Sequence, residues 1–511
     1  MARDNGGIIG PANNPTSSTA SGVWDLQSQY QAISGGNWPP IPSIAENSLR
    51  FDDGSSDYLN RTGTTATDGK KFTLSLWFKR ANLGNNKELF CIYLNNSNRM
   101  FFRNNGDDFE LQIQSKSYNI SGSRQFRDTS AWYHFVIIAD STEATDSDRI
   151  KWYVNGERQT ITAGAGYPAL NNVFPHGQGN ANYYIGNGEY NSSPYSNYWD
   201  GSMSHVHFID GIAYDASAFG ETDATTGIWK PKTAPSVTYG TNGFFLKFEN
   251  SGAFGTDSSG NANNFTVNGT MTQTIDTPSN VFATLNPLIL NSTGGANSLS
   301  NGNLTGYTQS TAYFGGFSST IGVSSGKYYW EIKNVSTSAG NFYSAPGITT
   351  ENYINFVSSA TRSTTMAGAG MASQNESWQY KIWSGNKEHD GVQTAYGSTA
   401  STGDIIGVAL DLDNHYLYFS KNGVWQNSGD PTSGATGTGS AFALDTGFTY
   451  FPILDLYYDN TSAINFGNGY FGTTAVSSAQ NPDDGIGIFE YAVPTGYKAL
   501  CTKSINAQEY D

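Results

Sequence analysis

The amino-acid sequence predicts an all-β protein made of two tandem antiparallel β-sandwiches behind a short N-terminal extended or helical segment. Glycine supplies 58 of the 511 residues, aromatic residues 14%, and charged residues only 14%. Frequent glycine suits many tight turns, and aromatic side chains suit strands, whereas salt-bridged helical surfaces need more charge. Asn-Gly pairs such as 155–156 and 422–423 lie between alternating apolar and polar residues, as in two-residue hairpins. A chain of 511 residues is too long for a single hydrophobic core, so two or three domains are expected.

Residues 1–44 come first and are rich in Gly, Pro, Asn and Ser. The stretch 21–36 carries apolar residues at helical spacing and is bounded by Ser21 and a Gly-Gly pair, so it predicts one short helix. So short a helix needs a surface to pack on, either its own domain or a larger assembly. We interpret 1–44 as an attachment segment. Its candidate contact residues are Val23, Trp24, Leu26, Tyr30 and Ile33.

The first sandwich is predicted over 45–270. Phe72, Leu74, Leu76 and Phe78 occupy alternate positions, so these four side chains should point to one face of a strand. Residues 132–141 and 148–160 continue the sheets. The second of these stretches contains the Asn-Gly turn at 155–156.

Residues 271–303 are predicted to form a polar linker, because this stretch contains prolines and the Gly-Gly pair at 294–295. The second sandwich is predicted over 304–480. Its clearest part is an apolar strand at 405–412, then a strand at 415–420, reversed by the turn at 422–423. Residues 481–511 lack periodicity and are expected to wrap this sandwich.

Net charge, cysteine content and hydropathy limit the partners and the cellular compartment that we expect. The formal net charge of −16 argues against binding a nucleic-acid backbone. Cys91 and Cys501 make no disulfide framework, which suits a reducing cytoplasm. We find no signal-peptide core and no apolar stretch approaching the ~20 residues of a membrane helix, so membrane insertion is not expected.

No catalytic residues are predicted. Glu221 and Asp223 approach the Glu-x-Asp-x-x-Glu pattern of glucanases, but the last acid is missing, and we interpret them as surface acids. His205 and His207 alternate along a strand and could supply part of a zinc site; we interpret them as a solvent-facing pair. The chain is therefore expected not to be an enzyme.

Aromatic residues crowd a Gly/Asn/Ser-rich stretch near residue 190. Tyrosine and tryptophan beside asparagine suit sugar stacking and adaptable protein contacts, although strand aromatics more often lie in a core. The candidate ligand-binding residues are Tyr190, Tyr195, Tyr198 and Trp199.

Two groups of motifs resemble known domains. LRFDDGSSDYL, WYHFVI, YVNG, WDG and DSSGN follow one another as in a laminin-G/concanavalin A-like sandwich of the jelly-roll kind. SGKYYWEI, GVALDLDNHYLYFSKNG and FPIL resemble the SPRY domain. The first resemblance implies that calcium could be a cofactor, because related domains often carry it; the same residues equally suit turns. The candidate ligands are Asp52, Asp53, Asp57 and Asp257.

The whole layout resembles a group of bacteriophage virion proteins. The carrying motifs are GIIGPANNPTSS, SGVWDLQSQY, DTPSNVFATLNPL and VPTGYKAL. The resemblance implies a tail fibre, spike or head appendage on the virion surface, synthesised in the host bacterial cytoplasm. It would attach to other virion proteins through 1–44, bind a host-surface glycan or protein, and form a homotrimer by default. The alternatives are a polysaccharide depolymerase and an inert decoration or structural linker of the particle.

Overall fold

The computed structural model describes residues 45–510 except 85, 123, 192, 195, 224–225, 290–296, 310–314, 338–342, 353 and 355–375. The predicted attachment residues Val23, Trp24, Leu26, Tyr30 and Ile33 therefore lie outside the described residues. The all-β class is confirmed, since the described chain is built from antiparallel sheets with short 3-10 turns and a C-terminal helix α1, Thr502–Tyr510. No helix in this part of the chain is long and apolar enough to cross a membrane.

The first sandwich consists of two eight-stranded sheets. Its strands are β1 Ser48–Phe51, β2 Tyr58–Thr62, β3 Lys71–Arg80, β4 Glu88–Asn95, β5 Asn98–Asn105, β6 Asp108–Ile113, β7 Lys116–Ile120, β8 Trp132–Asp140, β9 Ile150–Val154, β10 Glu157–Gln159, β11 Ile161–Ala163, β12 Asn182–Ile185, β13 Glu189–Tyr190, β14 Ser193–Pro194, β15 Gly201–Asp210, β16 Gly220–Thr222, β17 Trp229–Pro231, β18 Phe244–Leu246, β19 Thr266–Asn268 and β20 Thr272–Thr274.

Sheet 1 has the order β10-β9-β8-β3-β15-β1-β20, with β18 beside β15, and sheet 2 has the order β11-β7-β6-β5-β4-β12-β2-β19. The alternating residues of β3, including Phe72 and Phe78, lie in the core between the two sheets. A further apolar layer covers the outer face of sheet 1, where Phe219 and Trp229 pack near Val136 and Ile209. The 3-10 turns here are Asp53–Ser55, Asp146–Asp148, Pro175–Gly177 and Ala216–Ala218.

The second sandwich follows. Its strands are β21 Asn297–Ser300, β22 Thr305–Thr308, β23 Gly315–Ser318, β24 Lys327–Thr337, β25 Ser344–Thr350, β26 Ser377–Lys381, β27 Asn386–His389, β28 Val392–Ala395, β29 Ile405–Asp411, β30 Tyr416–Lys421, β31 Val424–Trp425, β32 Phe442–Ala443, β33 Tyr450–Leu456, β34 Asn460–Asn465, β35 Tyr470–Phe471, β36 Thr474–Ala475 and β37 Lys498–Ala499. Its 3-10 turns are Pro287–Ile289, Gln426–Ser428 and Gly434–Thr436.

Sheet 3 has the order β21-β22-β34-β24-β29-β30-β31, and sheet 4 has the order β23-β33-β25-β26-β27-β28. The predicted hairpin turns at Asn422 and Gly423, whose φ angles of 48° and 78° are those a type I′ turn requires. Leu417 and Phe419 point into the core, as does Trp330.

The structure differs from the prediction of a loop-like linker over 271–303. Strand β20 pairs with β1 and so belongs to the first sandwich, while β21 pairs with β22 of the second. These strands are short and polar, so their sequences carry little alternation. Between them, Asp276 lies at the seam between the sandwiches, where its carboxylate accepts hydrogen bonds from Lys79 Nζ at 2.8 Å and Trp132 Nε1 at 3.2 Å.

The C-terminal segment lies across the outer face of sheet 3. Strand β37 runs parallel to β24, and Phe489 and Tyr497 cover Tyr329 and Tyr418 in a buried aromatic layer. Both carboxylate oxygens of Glu331 accept backbone hydrogen bonds from this segment, from the amides of residues 490 and 491. The segment is therefore part of the second domain's packed structure.

Candidate functional site

The predicted aromatic stretch forms a hairpin, β13–β14, over the outer face of sheet 2. Because successive strand residues point to opposite faces, alternate residues of β4, β5 and β12 face this hairpin while their neighbours enter the core. Cys91, Tyr93, Phe101 and Tyr184 form the apolar surface under it, with Tyr58 at its margin.

Polar contacts fix the hairpin on that surface. The Tyr184 hydroxyl donates to Glu189 Oε2 at 2.6 Å, and Asn182 Nδ2 donates to the same oxygen at 3.1 Å. The side chains of Asn96 and Asn191 join at 2.5 Å. A Cβ added at Gly188 would lie 1.7 Å from a Glu88 carboxylate oxygen, so this position needs glycine. These contacts hold the hairpin in one position over sheet 2.

Tyr190 is the exposed aromatic residue of this face, with 39% of its surface accessible. Its ring lies 4.8 Å from the guanidinium carbon of Arg99, whose other ring contact is Phe101 at 4.9 Å. Tyr198 is half-buried and lies 6.1 Å from the Tyr58 ring. We call Tyr58, Arg99, Tyr190 and Tyr198 the hairpin face.

One of the predicted ligand-binding residues does not join the hairpin face. Trp199 is 1% exposed and packs edge-on against Phe78 at 5.7 Å, so its assignment to a binding surface is corrected to the core of the first sandwich. It lies just before β15 and points inward. Tyr195 lies outside the described residues.

The acids proposed as calcium ligands make turn contacts. Asp57 is buried and accepts the amides of residues 52 and 270, at 2.9 and 2.7 Å. Asp52 caps the Gly54 amide, Asp53 pairs with Lys87 at 2.6 Å, and Asp257 accepts the amides of residues 245, 259 and 263. The contacts match the turn alternative, and no group of three or more metal-ligating side chains is present among the described residues.

Glu221 and Asp223 lie on and just after β16. Both carboxylates contact Lys230, at 3.6 and 3.0 Å respectively, and Asp223 also accepts the Thr226 amide. Lys230 thus offsets one of the two negative charges, on a hairpin of the layer over sheet 1, whereas the hairpin face lies over sheet 2.

Burial is the main electrostatic influence under the hairpin. Glu88 lies behind the hairpin, and desolvation raises its pKa to about 7, against the opposing effect of Arg103. Asp200, next to Trp199, is held at a pKa of about 8 by burial and by its acidic neighbours. Both carboxyls are structural, because neither faces solvent.

The expectation of a solvent-facing histidine pair is wrong. His205 and His207 are buried, because residues 212–219 and 229–239 add a layer over sheet 1 that the sequence pattern of β15 does not reveal. His207 Nδ1 lies 3.0 Å from the Tyr239 hydroxyl. A β-bulge between residues 204 and 207 shifts the register here. His134 joins the same layer: its Nδ1 accepts from Trp229 Nε1 at 2.9 Å, so its Nε2–H donates to Ser75 Oγ.

We expect acid to weaken this layer through His134. Burial lowers its pKa to about 3, below the value near 6.5 of an unfolded histidine. The neutral form therefore contributes stability that is complete above pH 6.5 and is lost as pH falls toward 3. The destabilisation caused by His134→Gln should shrink by about 1–3 kcal/mol between pH 7 and pH 4.5. Urea unfolding of both proteins at the two pH values measures this, and an unchanged difference would contradict it.

Family comparison identifies both domains. Residues 53–216 match the model of the concanavalin A-like lectin/glucanases superfamily, and residues 327–469 match that of the SPRY domain. The chain thus contains a concanavalin A-like domain followed by a SPRY domain, in the order that the motifs predicted.

Solved structures similar to part of the chain include three SPRY-containing or toxin chains. The SPRY domain of human HERC1 is 21% identical over 35% of this chain and 96% of its own, with a TM-score of 0.27. Stonustoxin is 20% identical over 36% of this chain and 27% of its own, with a TM-score of 0.26. The TRIM65 PSpry domain is 13% identical over 36% of this chain and 91% of its own, with a TM-score of 0.25.

Proposed function

We propose that this chain, a concanavalin A-like sandwich joined to a SPRY sandwich, is a bacteriophage virion-surface protein that binds a host-surface glycan through the hairpin face. The resemblance of its opening, linker and closing motifs to virion proteins supports the location. Both domain types are typically binding modules, which supports recognition over catalysis. This role is compatible with a tail fibre, a spike or a head appendage.

The observation that carries the binding role is the presentation of Tyr190. An exposed tyrosine ring on a hairpin fixed by Glu189 and Asn191 offers a flat apolar surface at little entropic cost. Arg99 supports the ring from one side. A sugar ring packed against the exposed part of this tyrosine would lose its water shell against a preformed surface.

Residues 1–44 would supply the attachment to other virion proteins in this proposal. The described chain enters the first sandwich beside the seam, where the Ala45 amide donates to Ser279 Oγ at 3.0 Å. Attachment and recognition are thus assigned to different parts of the chain. Particles assembled with a chain lacking 1–44 should lose the protein, and normal incorporation of that chain would refute the attachment role.

Tyr190→Ala should weaken binding to host surface polysaccharide about tenfold, equivalent to about 1.4 kcal/mol. The loss follows from removal of the stacking ring, while thermal unfolding should be unchanged because the residue is exposed. Titration of purified host polysaccharide by biolayer interferometry measures it.

Tyr307→Ala provides the matched control, because Tyr307 is a partly exposed tyrosine on β22 of the second sandwich. Its binding should equal that of the unaltered protein. Equal binding by Tyr190→Ala would refute the hairpin face as the site. Release of reducing ends from the polysaccharide during the titration would favour the depolymerase alternative.

A further inference from the structure

Arg99 lies on β5 of sheet 2, and its guanidinium carbon is 4.9 Å from the Phe101 centroid and 4.8 Å from the Tyr190 centroid. Arg61 of the same sheet also contacts two rings, but its guanidinium donates hydrogen bonds to the Asn242 carbonyl and to Asn263 Oδ1. Phe101 is buried on the sheet, and Tyr190 belongs to the hairpin above it. The rings therefore restrict a side chain that would otherwise sample many rotamers.

Within the part of the chain that the structure describes, the hydrogen-bonding edge of this guanidinium faces no protein acceptor. Across the described residues, Arg99 makes no side-chain hydrogen bond and no ion pair. Arg103, its neighbour two residues along β5, donates to Glu110 Oε2 from Nε at 3.0 Å and from Nη2 at 2.8 Å. One arginine on this strand is thus paired within the fold, and the other retains its donors.

The carboxylates close to Arg99 are already engaged. Glu189 accepts hydrogen bonds from Tyr184 and Asn182, and this contact fixes the hairpin. Glu88 is buried beneath Gly188 with 3% of its surface exposed. Neither is positioned by a hydrogen bond to Arg99. An anion arriving from solvent would therefore find these donors unoccupied.

The geometry of the guanidinium donors favours one chemical class of anion. A guanidinium presents its N–H groups in a planar fork that matches a carboxylate with two parallel hydrogen bonds. Aromatic contacts orient that fork before the ligand binds. A sugar ring packed against the exposed part of Tyr190 lies beside Arg99, so that a carboxylate carried on the sugar would meet the fork.

We propose that Arg99 binds the carboxylate of an acidic sugar, so that the hairpin face selects acidic polysaccharides over neutral ones. The proposal rests on the glycan-binding role proposed above and adds the class of glycan. The formal net charge of −16 repels polyanions over the surface as a whole. Recognition of an acidic polymer by this chain thus depends on a local cation, and Arg99 supplies one beside an exposed ring.

The test compares three acidic polysaccharides with their carboxyl-reduced forms: polygalacturonate, hyaluronan and polysialic acid. The full chain should bind at least one of them, and reduction of its carboxyl groups should weaken binding at least tenfold. Arg99→Gln should weaken binding to the acidic form by a similar factor and weaken binding to the reduced form much less, because only the acidic form presents a carboxylate to the fork. Arg99→Lys should recover part of the loss, because an ammonium keeps the charge without the fork.

Arg158→Gln serves as the control, since Arg158 is exposed on β10 of sheet 1 and pairs with Asp148 at 2.9 Å. Its binding should match that of the unaltered chain. If Tyr190→Ala weakens binding while Arg99→Gln and carboxyl reduction do not, the acidic-sugar proposal is overturned and the glycan site stands. Absence of binding to all six polymers and to host polysaccharide overturns both.

Discussion

Asp276→Ala should lower the free energy of unfolding by about 3–5 kcal/mol, the cost of removing one partner of a buried ion pair. The Lys79 side chain is 5% exposed, and its Nζ lies 2.8 Å from Asp276. The same carboxylate accepts from Trp132 and from the amide of Phe282, which begins the approach to the second sandwich. Without it, a lysine charge is left buried at the seam. Urea unfolding followed by tryptophan fluorescence measures the change.

This substitution should also separate the unfolding of the two sandwiches, because Asp276 links β3 and β8 of the first to the chain entering the second. Asp148→Ala is the matched control, since it breaks the exposed pair with Arg158 and should cost less than about 1 kcal/mol. The double variant Lys79→Met, Asp276→Leu should be more stable than Asp276→Ala, because no charge is left unpaired. A loss under 1 kcal/mol for Asp276→Ala would show that the seam does not depend on this pair.

Ending the chain after Gln480 should abolish cooperative unfolding of the second sandwich. The truncation uncovers Tyr329 and Tyr418, which Phe489 and Tyr497 bury, and exposure of each large apolar side chain costs about 1.5–3 kcal/mol. It also removes both backbone donors to Glu331, whose pKa burial raises to about 7. Differential scanning calorimetry should show one transition lost, with binding of a hydrophobic dye to the exposed sheet.

A chain ending after Asn506 is the control for this truncation, because it keeps the aromatic layer, β37 and the Ile505 contact. It should unfold as the full chain does. A retained second transition in the shorter chain would mean that 304–480 folds alone, as the predicted domain boundary implied.

The sequence predicts the fold class well because its signals are local. Alternation in β3 and the Asn-Gly turn at 422–423 each specify their own geometry within a few residues. The sequence does not predict the short strand β20, because this segment becomes a strand only by pairing with β1, some 220 residues earlier in the chain. The layer over His205 and His207 likewise depends on a distant segment.

The candidate site could be predicted only in part. Composition indicates a binding surface near residue 190. It does not distinguish an exposed aromatic residue, Tyr190, from a buried one, Trp199. The sequence does not single out Arg99. Alternation along 99–103 places Arg99, Phe101 and Arg103 on one face, but only the fold shows which of the two arginines has a carboxylate partner.

Hydrogen–deuterium exchange of the full chain, with and without host surface polysaccharide, tests the central claim most directly. We expect slower amide exchange on binding in 186–199 and in β5, Asn98–Asn105, with the second sandwich unchanged. Protection confined to loops of the second sandwich, or binding without protection near Tyr190, would contradict recognition by the hairpin face.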